Sequence, residues 1–289
     1  MKSVRICVAA ITAGVVCIAV MLGILSAAIY AENESGDSFI GLMYHQVLKD
    51  ESRAGKYIIT PGELESDLAY LSENGYVSVL PSQLVKIREQ GGRLPEKTVV
   101  ITFDDGYETG LYYVLPLLKK YGMKAVINVV GSYTDEYSRI NEEGKHLSYA
   151  YLTWNEIKKL SDSGYVEIGN HTYNMHSYNG DRNGCARKEN ESDEQYRTVL
   201  YEDVARLSDK LQRVTGKRPV AFAYPFGSLS EGSAEIIGSA GISVFMTCCE
   251  QPCSMNRNGR IVINRYNFRY NRESGRTAQQ ICEEFNNAF

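Results

Sequence analysis

Two adjacent carboxylates, Asp104 and Asp105, follow a run of mostly β-branched residues at positions 99–103. Such a run is typical of a buried strand in a parallel sheet. Side chains alternate faces along a strand, so neighbouring acids can serve one pocket only where the strand ends, and Gly106 supplies that end. A polar turn in which Asp105 caps the next helix explains the pattern equally well when it is taken alone.

Two of the chain's four histidines lie just after a second predicted strand. Residues 165–170 form that strand in the prediction, and His171 and His176 follow it. One carboxylate and two imidazoles are the three-protein-ligand set of a catalytic zinc-type site, which leaves one coordination position open for water or substrate. The sequence therefore predicts a divalent metal site at the ends of two strands.

These residues resemble motifs of the polysaccharide deacetylases, the NodB-type domains of carbohydrate esterase family 4. Residues 102–106, Thr-Phe-Asp-Asp-Gly, are similar to that family's first motif, and His171-Thr172 with His176 are similar to its second. The usual second motif places its histidines four residues apart, whereas these are five apart. The longer spacing resembles the poly-N-acetylglucosamine deacetylase branch, and the resemblance covers roughly residues 38–270.

The resemblance implies a role for each of these groups. Asp105, His171 and His176 would hold one divalent metal ion, with zinc expected and cobalt, nickel or iron as alternatives. The metal would polarise an acetyl carbonyl and bind the attacking water. Asp104 would take the proton from that water.

A third motif, residues 224–227 (Tyr-Pro-Phe-Gly), is also similar to the family pattern, and it implies that the Phe226 backbone N–H stabilises the oxyanion. The family's arginine ahead of that proline is absent, because Ala223 stands there. We predict that Arg265, in a late apolar strand, replaces it and holds Asp104 with a two-pronged guanidinium contact. A surface salt bridge is the alternative for Arg265.

The first strand of the predicted domain, residues 39–45, ends in His45. In most members of the family a leucine-x-histidine motif lies at the C-terminal end of the domain, but no histidine occurs near the C-terminus here. The poly-N-acetylglucosamine branch resembles a circular permutation in which that strand comes first, so His45 would protonate the departing amine. A strand-end histidine bonded to backbone is the alternative.

Helical spacing, a glycine and an apolar strand recur along the chain, with the glycines at Gly75, Gly122, Gly164 and Gly241. This alternation predicts an α/β fold with a parallel sheet. The resemblance implies a distorted (β/α) barrel of seven or eight strands, in which the loops after the strands share one face. A doubly wound open sheet is the alternative. Residues 194–215 predict a long helix whose apolar stripe serves packing.

Residues 6–30 carry no charged side chain, and this uncharged run is long enough for a membrane-spanning helix. Lys2 and Arg5 precede this run, so we expect the N-terminus in the cytoplasm and the rest at the extracellular face. The predicted organisation is a signal-anchor or signal peptide at 1–30, a tether at 31–38 and a catalytic domain at 39–289. A cleaved signal, giving a secreted protein, is the alternative.

Two polar segments, residues 132–150 and 177–192, interrupt the repeat on the expected active face. Aromatic side chains in and around them could pack against sugar rings. These are Tyr133, Tyr137, Tyr149, Tyr151, Trp154, Tyr173 and Tyr178. We expect Tyr173, Tyr224 and Trp154 to contact substrate; ordinary surface tyrosines, in a chain with 21, are the alternative.

Cysteine usage defines no clear site. Cys185, Cys248, Cys249, Cys253 and Cys282 lie outside the apolar N-terminal run, and an odd number leaves at least one unpaired or bridged to another molecule. A second metal cluster at Cys248, Cys249 and Cys253 is disfavoured, because it lacks a nearby histidine or a matching cysteine pair.

Net charge and composition limit the classes of binding partner that are expected. The chain is 289 residues long with a formal net charge of −4 and no basic block, which argues against nucleic acid. The prediction is a metal-dependent hydrolase that removes N-acetyl groups from N-acetylglucosamine residues of an extracellular polysaccharide and is attached to the cytoplasmic membrane. A non-catalytic sugar-binding protein and a hydrolase of another amide are the alternatives.

Overall fold

The computed structural model describes residues 37–140, 146–178, 182–256, 259–267 and 276–288. The predicted membrane segment, residues 6–30, lies outside these ranges. Within them, none of the helices combines the length and apolar character that a membrane crossing needs.

Twelve strands occur in the described part of the chain. They are β1 (Ser38–Tyr44), β2 (Gln46–Val47), β3 (Ile58–Ile59), β4 (Val77–Ser78), β5 (Thr98–Phe103), β6 (Ala125–Val129), β7 (Val166–Asn170), β8 (Ala221–Ala223), β9 (Val244–Met246), β10 (Cys253–Ser254), β11 (Ile261–Ile263) and β12 (Arg265–Asn267).

Eight α-helices alternate with these strands. They are α1 (Pro61–Glu73), α2 (Pro81–Glu89), α3 (Leu115–Tyr121), α4 (Gly131–Tyr137), α5 (Trp154–Asp162), α6 (Asp193–Thr215), α7 (Ser233–Ser239) and α8 (Ala278–Ala288). Thr60, Thr153 and Ser192 form capping boxes at the starts of α1, α5 and α6. The four predicted glycines all have positive φ, as helix-ending glycines require.

The main sheet closes almost completely into a barrel. Its order is β1-β5-β6-β7-β8-β9-β11, and these neighbours pair in parallel. After β11 the chain crosses to β12, which pairs with the other edge of β1. A doubly wound open sheet is therefore wrong, and an α/β barrel is confirmed.

Alternation along the strands separates two apolar layers. Val100, Val126 and Val244 belong to a buried cluster inside the barrel, whereas Val99, Ile101 and Ile127 pack beneath the helices. The inward positions of β5 are Val100 and Thr102, and continuing that alternation places Asp104 at the inner face where the strand ends. The alternation of side chains along β5 is thus enough to place Asp104 inside the barrel.

Three boundary predictions need correction. The late apolar strand is two strands, because the chain leaves β9 after Ile263 and joins β1 at Arg265. The polar segment after β6 starts with a helix, α4, rather than a loop. Asp37 and Ser38 are packed against the domain instead of forming the end of a tether, since Met255 N–H donates to the Asp37 carbonyl and β1 begins at Ser38.

Candidate active site

Asp104 lies on the inner face of the barrel and is only 3 % exposed. Its Oδ1 accepts hydrogen bonds from Arg265 Nη1 at 2.8 Å and from Asn128 Nδ2 at 2.7 Å. Burial opposes ionisation of this carboxyl, but the Arg265 guanidinium and the nearby imidazoles outweigh burial and hold its pKa below the usual range. Asp104 is therefore ionised at neutral pH, as a proton acceptor must be.

Asp105 faces both histidines that the sequence predicts as ligands. Its Oδ1 lies 3.0 Å from His176 Nε2 and 3.5 Å from His171 Nε2. One ligand atom from each of the three residues falls within 4.8 Å of the others. The Nδ1 of His171 is bonded to the Ala223 carbonyl at 2.8 Å, which turns its Nε2 toward Asp105.

This donor set fits a divalent metal. A carboxylate and two imidazole nitrogens converge on one point, and the backbone carbonyl behind His171 is the kind of partner that orients metal-ligating histidines. Burial opposes ionisation of Asp105, but its contacts with the two imidazoles hold its pKa well below the usual range. The set thus supplies an anionic oxygen and two nitrogens.

Backbone strain is concentrated at this site. Asp105, Thr172 and Phe226 have positive φ values of 71°, 73° and 58°, a region that non-glycine residues seldom occupy. Gly106 also has positive φ, and a Cβ at this position would lie 3.0 Å from a Val129 side-chain carbon. The strand break that separates Asp104 from Asp105 therefore begins at Asp105 itself, and such strain is typical of functional sites.

Helix α6 anchors the histidine segment. Its Asp203 carboxylate accepts hydrogen bonds from the backbone N–H groups of Tyr173 and Asn174. Asn170 at the end of β7 donates to the Val204 carbonyl and accepts from the Thr172 N–H, which fixes the turn after His171. The sequence predicts this helix as packing alone; its polar side also holds the turn that carries the ligands.

His45 lies at the end of β1, beside the metal-ligand set. Its imidazole packs against the Tyr57 ring at a tilt of 53°, with ring centres 4.7 Å apart, and it interacts electrostatically with Asp104, Asp105 and His171. Among the described residues, its buried Nδ1 has no hydrogen-bond partner. Burial lowers the pKa of His45, although the two carboxylates act in the opposite direction. The structure therefore places His45 near Asp104 and Asp105, while its role as an acid stays a prediction.

Arg265 reaches Asp104 from β12, the strand that closes the barrel. Its side chain is fully buried, and Nη1 also donates to Thr102 Oγ1 while Nε donates to the Thr247 carbonyl. The predicted contact is present and a surface salt bridge is wrong, but the contact uses one nitrogen rather than two prongs. Nη2 is buried without a hydrogen-bond partner in the described part of the chain.

Aromatic side chains pack against His176 of the ligand set. The Phe226 ring lies 4.6 Å from that of His176 and contacts Tyr178, which is 69 % exposed. Tyr133 donates to the His176 carbonyl and packs against Tyr151. The segment of the third motif thus adjoins the metal-ligand set, and the Phe226 N–H as an oxyanion donor stays a prediction.

Of the three residues predicted to contact substrate, the structure buries one and ties the other two to a carboxylate. Tyr224 is 3 % exposed and packs against Phe222 and Phe245, so its side chain cannot reach a polymer and that prediction is wrong. Tyr173 and Trp154 both donate to the Asp135 carboxylate, which holds them between helices. Their contact with sugar stays a prediction.

Asn128 is a site residue that the sequence analysis missed. A polar side chain within the apolar run at residues 124–130 was the available signal.

The five cysteines beyond the N-terminal run are all free, and Cys185, Cys253 and Cys282 are buried. The group at Cys248, Cys249 and Cys253 does not converge as metal ligands in the described ranges.

The family model for polysaccharide deacetylase matches residues 91–245, more than half of the chain. The chain therefore belongs to the polysaccharide deacetylase family. It is 27% identical over 230 residues to a poly-beta-1,6-N-acetyl-D-glucosamine N-deacetylase of Escherichia coli K12, covering 73% of this chain and 34% of that protein. A protein of the same name from Staphylococcus aureus MRSA252 is 22% identical over 241 residues, covering 79% of this chain and 77% of that one. The chain thus spans about a third of the length of its Escherichia coli relative.

Solved structures give the same family. A de-N-acetylase from Aggregatibacter actinomycetemcomitans superposes with a TM-score of 0.71 at 26% identity, over 84% of this chain and 98% of that one. IcaB from Ammonifex degensii superposes with a TM-score of 0.62 at 26% identity, over 80% and 91% of the two chains.

Proposed function

We propose that this protein is a metal-dependent hydrolase that removes N-acetyl groups from N-acetylglucosamine residues of an extracellular polysaccharide and releases acetate. The observation that carries this proposal is the convergence of Asp105, His171 and His176 beside a second, ionised carboxylate, Asp104. Family membership supports the reaction class, and relatives named for poly-beta-1,6-N-acetyl-D-glucosamine support the substrate class.

Each side chain has a separable task in this proposal. Asp105, His171 and His176 would hold the metal, zinc in the first instance. A bound divalent ion supplies Lewis acidity, which polarises the acetyl carbonyl and makes water a better nucleophile. Asp104, ionised and held at Oδ1, accepts a proton from the attacking water.

His45 would complete the cleavage by giving a proton to the leaving nitrogen. An amine departs from the tetrahedral centre far more readily once it is protonated, and imidazole is suited to that transfer near neutral pH. Burial favours the neutral form of His45, whereas the Asp104 and Asp105 carboxylates favour the protonated form. The imidazole would take a proton from solvent before the step, give it to the leaving nitrogen, and be protonated again by solvent afterwards.

The location proposed is the extracellular face of the cytoplasmic membrane, with residues 6–30 as a single crossing. The uncharged run and the basic residues before it support this placement. The glycan would then be met outside the cell, and the free amines that deacetylation creates would add positive charge to it.

A substrate panel tests the proposal. The full chain would be incubated with poly-β-1,6-N-acetylglucosamine, chitin oligomers, peptidoglycan and an acetylated peptide, and acetate would be measured. Release from the first polymer above the others supports the proposed substrate. Release from the peptide alone would favour another amide hydrolase, and glycan binding without acetate from any substrate would favour a sugar-binding protein.

A further inference from the structure

Asn128 is a polar residue within an otherwise apolar strand. It is the fourth residue of β6, Ala-Val-Ile-Asn-Val, and it is completely buried. Asparagine is depleted in strands, and burying an amide costs free energy unless its hydrogen bonds are replaced. The side chain therefore needs a specific reason to be there.

The amide group of Asn128 has one short polar contact in the barrel. Its Nδ2 donates to Asp104 Oδ1 at 2.7 Å, with Met246 Sδ at 3.4 Å on the same nitrogen. Its Oδ1 is buried and has no partner among the described residues. Turning the amide over would place this oxygen against the Asp104 carboxylate, so Asp104 dictates the orientation. Asn128 thus keeps the hydrogen bond from Nδ2 to Asp104, although its Oδ1 has no partner among the described residues.

The neighbouring strand makes room for this arrangement. Asn128 stands beside Gly169 in the register of β6 and β7. A Cβ at position 169 would lie 2.0 Å from Asn128 Oδ1, a separation that no side chain can occupy. Any residue other than glycine would therefore push the Asn128 amide away from its position.

We infer that Asn128 and Gly169 are positioning residues for Asp104. Asn128 and Arg265 both bond to Oδ1 of this carboxylate, which fixes its rotation and leaves Oδ2 for the reacting water. Asn128 contacts no reacting atom itself; it acts through Asp104, and Gly169 acts through Asn128. This inference rests on the proposed function, in which Asp104 is the proton acceptor.

Asn128→Ala and Gly169→Ala test the inference. Displacing a catalytic group by about 1 Å can cost on the order of 10²-fold in rate. We expect each variant to lose roughly 10- to 100-fold in kcat, with KM within about threefold of wild type and bound metal unchanged. Thr98→Val is the matched control, because it removes the hydrogen bond that the hydroxyl of the buried Thr98 donates to the Pro95 carbonyl, at the far end of β5. It should keep wild-type turnover per folded molecule.

The double variant separates positioning from general damage to the fold. If Gly169 acts through the Asn128 amide, Gly169→Ala should cost less than about twofold once Asn128 is alanine, because the clashing oxygen is gone. Turnover is expressed per metal-loaded, folded molecule, so lost stability does not imitate the effect.

Three outcomes overturn the inference: wild-type kcat in Asn128→Ala, losses in the two variants that multiply in the double variant, or a loss confined to KM. Each leaves the proposed function standing if the wild-type chain releases acetate. Absence of acetate from the wild-type chain would instead remove both the proposed function and this inference.

Discussion

Replacing Arg265 by methionine removes the cation next to Asp104, the proposed proton acceptor, while retaining much of the side-chain volume. The side chain of Arg265 is 0% exposed and that of Asp104 is 3% exposed, with 2.8 Å between Nη1 and Oδ1. Removing one member of a buried ion pair leaves an uncompensated charge and typically costs about 3–5 kcal/mol in free energy of unfolding. In a domain of this size, that lowers the melting temperature by roughly 6–20 °C.

The loss should depend on pH in a definite direction. In the wild-type protein the pKa of Asp104 lies below its unfolded value, so its charge stabilises the fold above that value, and this contribution is lost as pH falls through the folded pKa. In Arg265→Met the guanidinium no longer offsets the effect of burial, so the pKa of Asp104 should be higher than in the wild-type protein. The difference in stability between the two proteins should therefore be largest near about pH 7.5 and smaller near about pH 4.5.

Urea unfolding at these two pH values measures the stability difference, and acetate release measures turnover. The matched control is Arg260→Met, whose salt bridge to Glu235 at 3.0 Å is exposed and should contribute no more than about 1 kcal/mol. Arg265→Lys should keep part of the stability but lose turnover, because lysine cannot also reach the Thr102 hydroxyl and the Thr247 carbonyl. A loss in Arg265→Met equal to that of the control at both pH values, with wild-type turnover, would refute this reasoning.

Three further predictions concern the metal, the acid and the membrane. Asp105→Ala and the His171/His176 double alanine variant should lose most bound metal by elemental analysis, and stoichiometric metal in either would contradict the ligand assignment. His45→Ala should retain metal and substrate affinity but lose on the order of 10²–10⁴ in kcat, whereas loss of metal in proportion to activity would make His45 a ligand. Protease added to intact cells should remove the catalytic domain, and mature protein free in the medium would show instead that residues 6–30 act as a cleaved signal.

The sequence predicted the parts of the site that obey local rules. Strand alternation and the breaks after β5 and β7 bring Asp104, Asp105 and His171 to one face, because parallel strands in a barrel end at the same side. His45 could be placed by the same reasoning from β1. Arg265 was predictable because the family's arginine is absent at position 223 and Arg265 lies in a late apolar strand.

What the sequence could not supply depends on contacts between distant strands. The register of β6 against β7 sets Asn128 opposite Gly169, and no local pattern encodes that pairing. The crossing from β11 to β12 depends on closure of the whole barrel. Tyr224 misled the prediction because its motif adjoins the site, while strand direction turns the side chain into the core.

Acetate release from poly-β-1,6-N-acetylglucosamine, measured on metal-depleted full-length protein before and after zinc is restored, tests the central claim most directly. The account predicts negligible release after depletion, recovery when zinc is returned in stoichiometric amount, and no recovery for Asp104→Asn despite normal zinc content. Release at the wild-type rate from fully depleted protein, or from zinc-loaded Asp104→Asn, would contradict it.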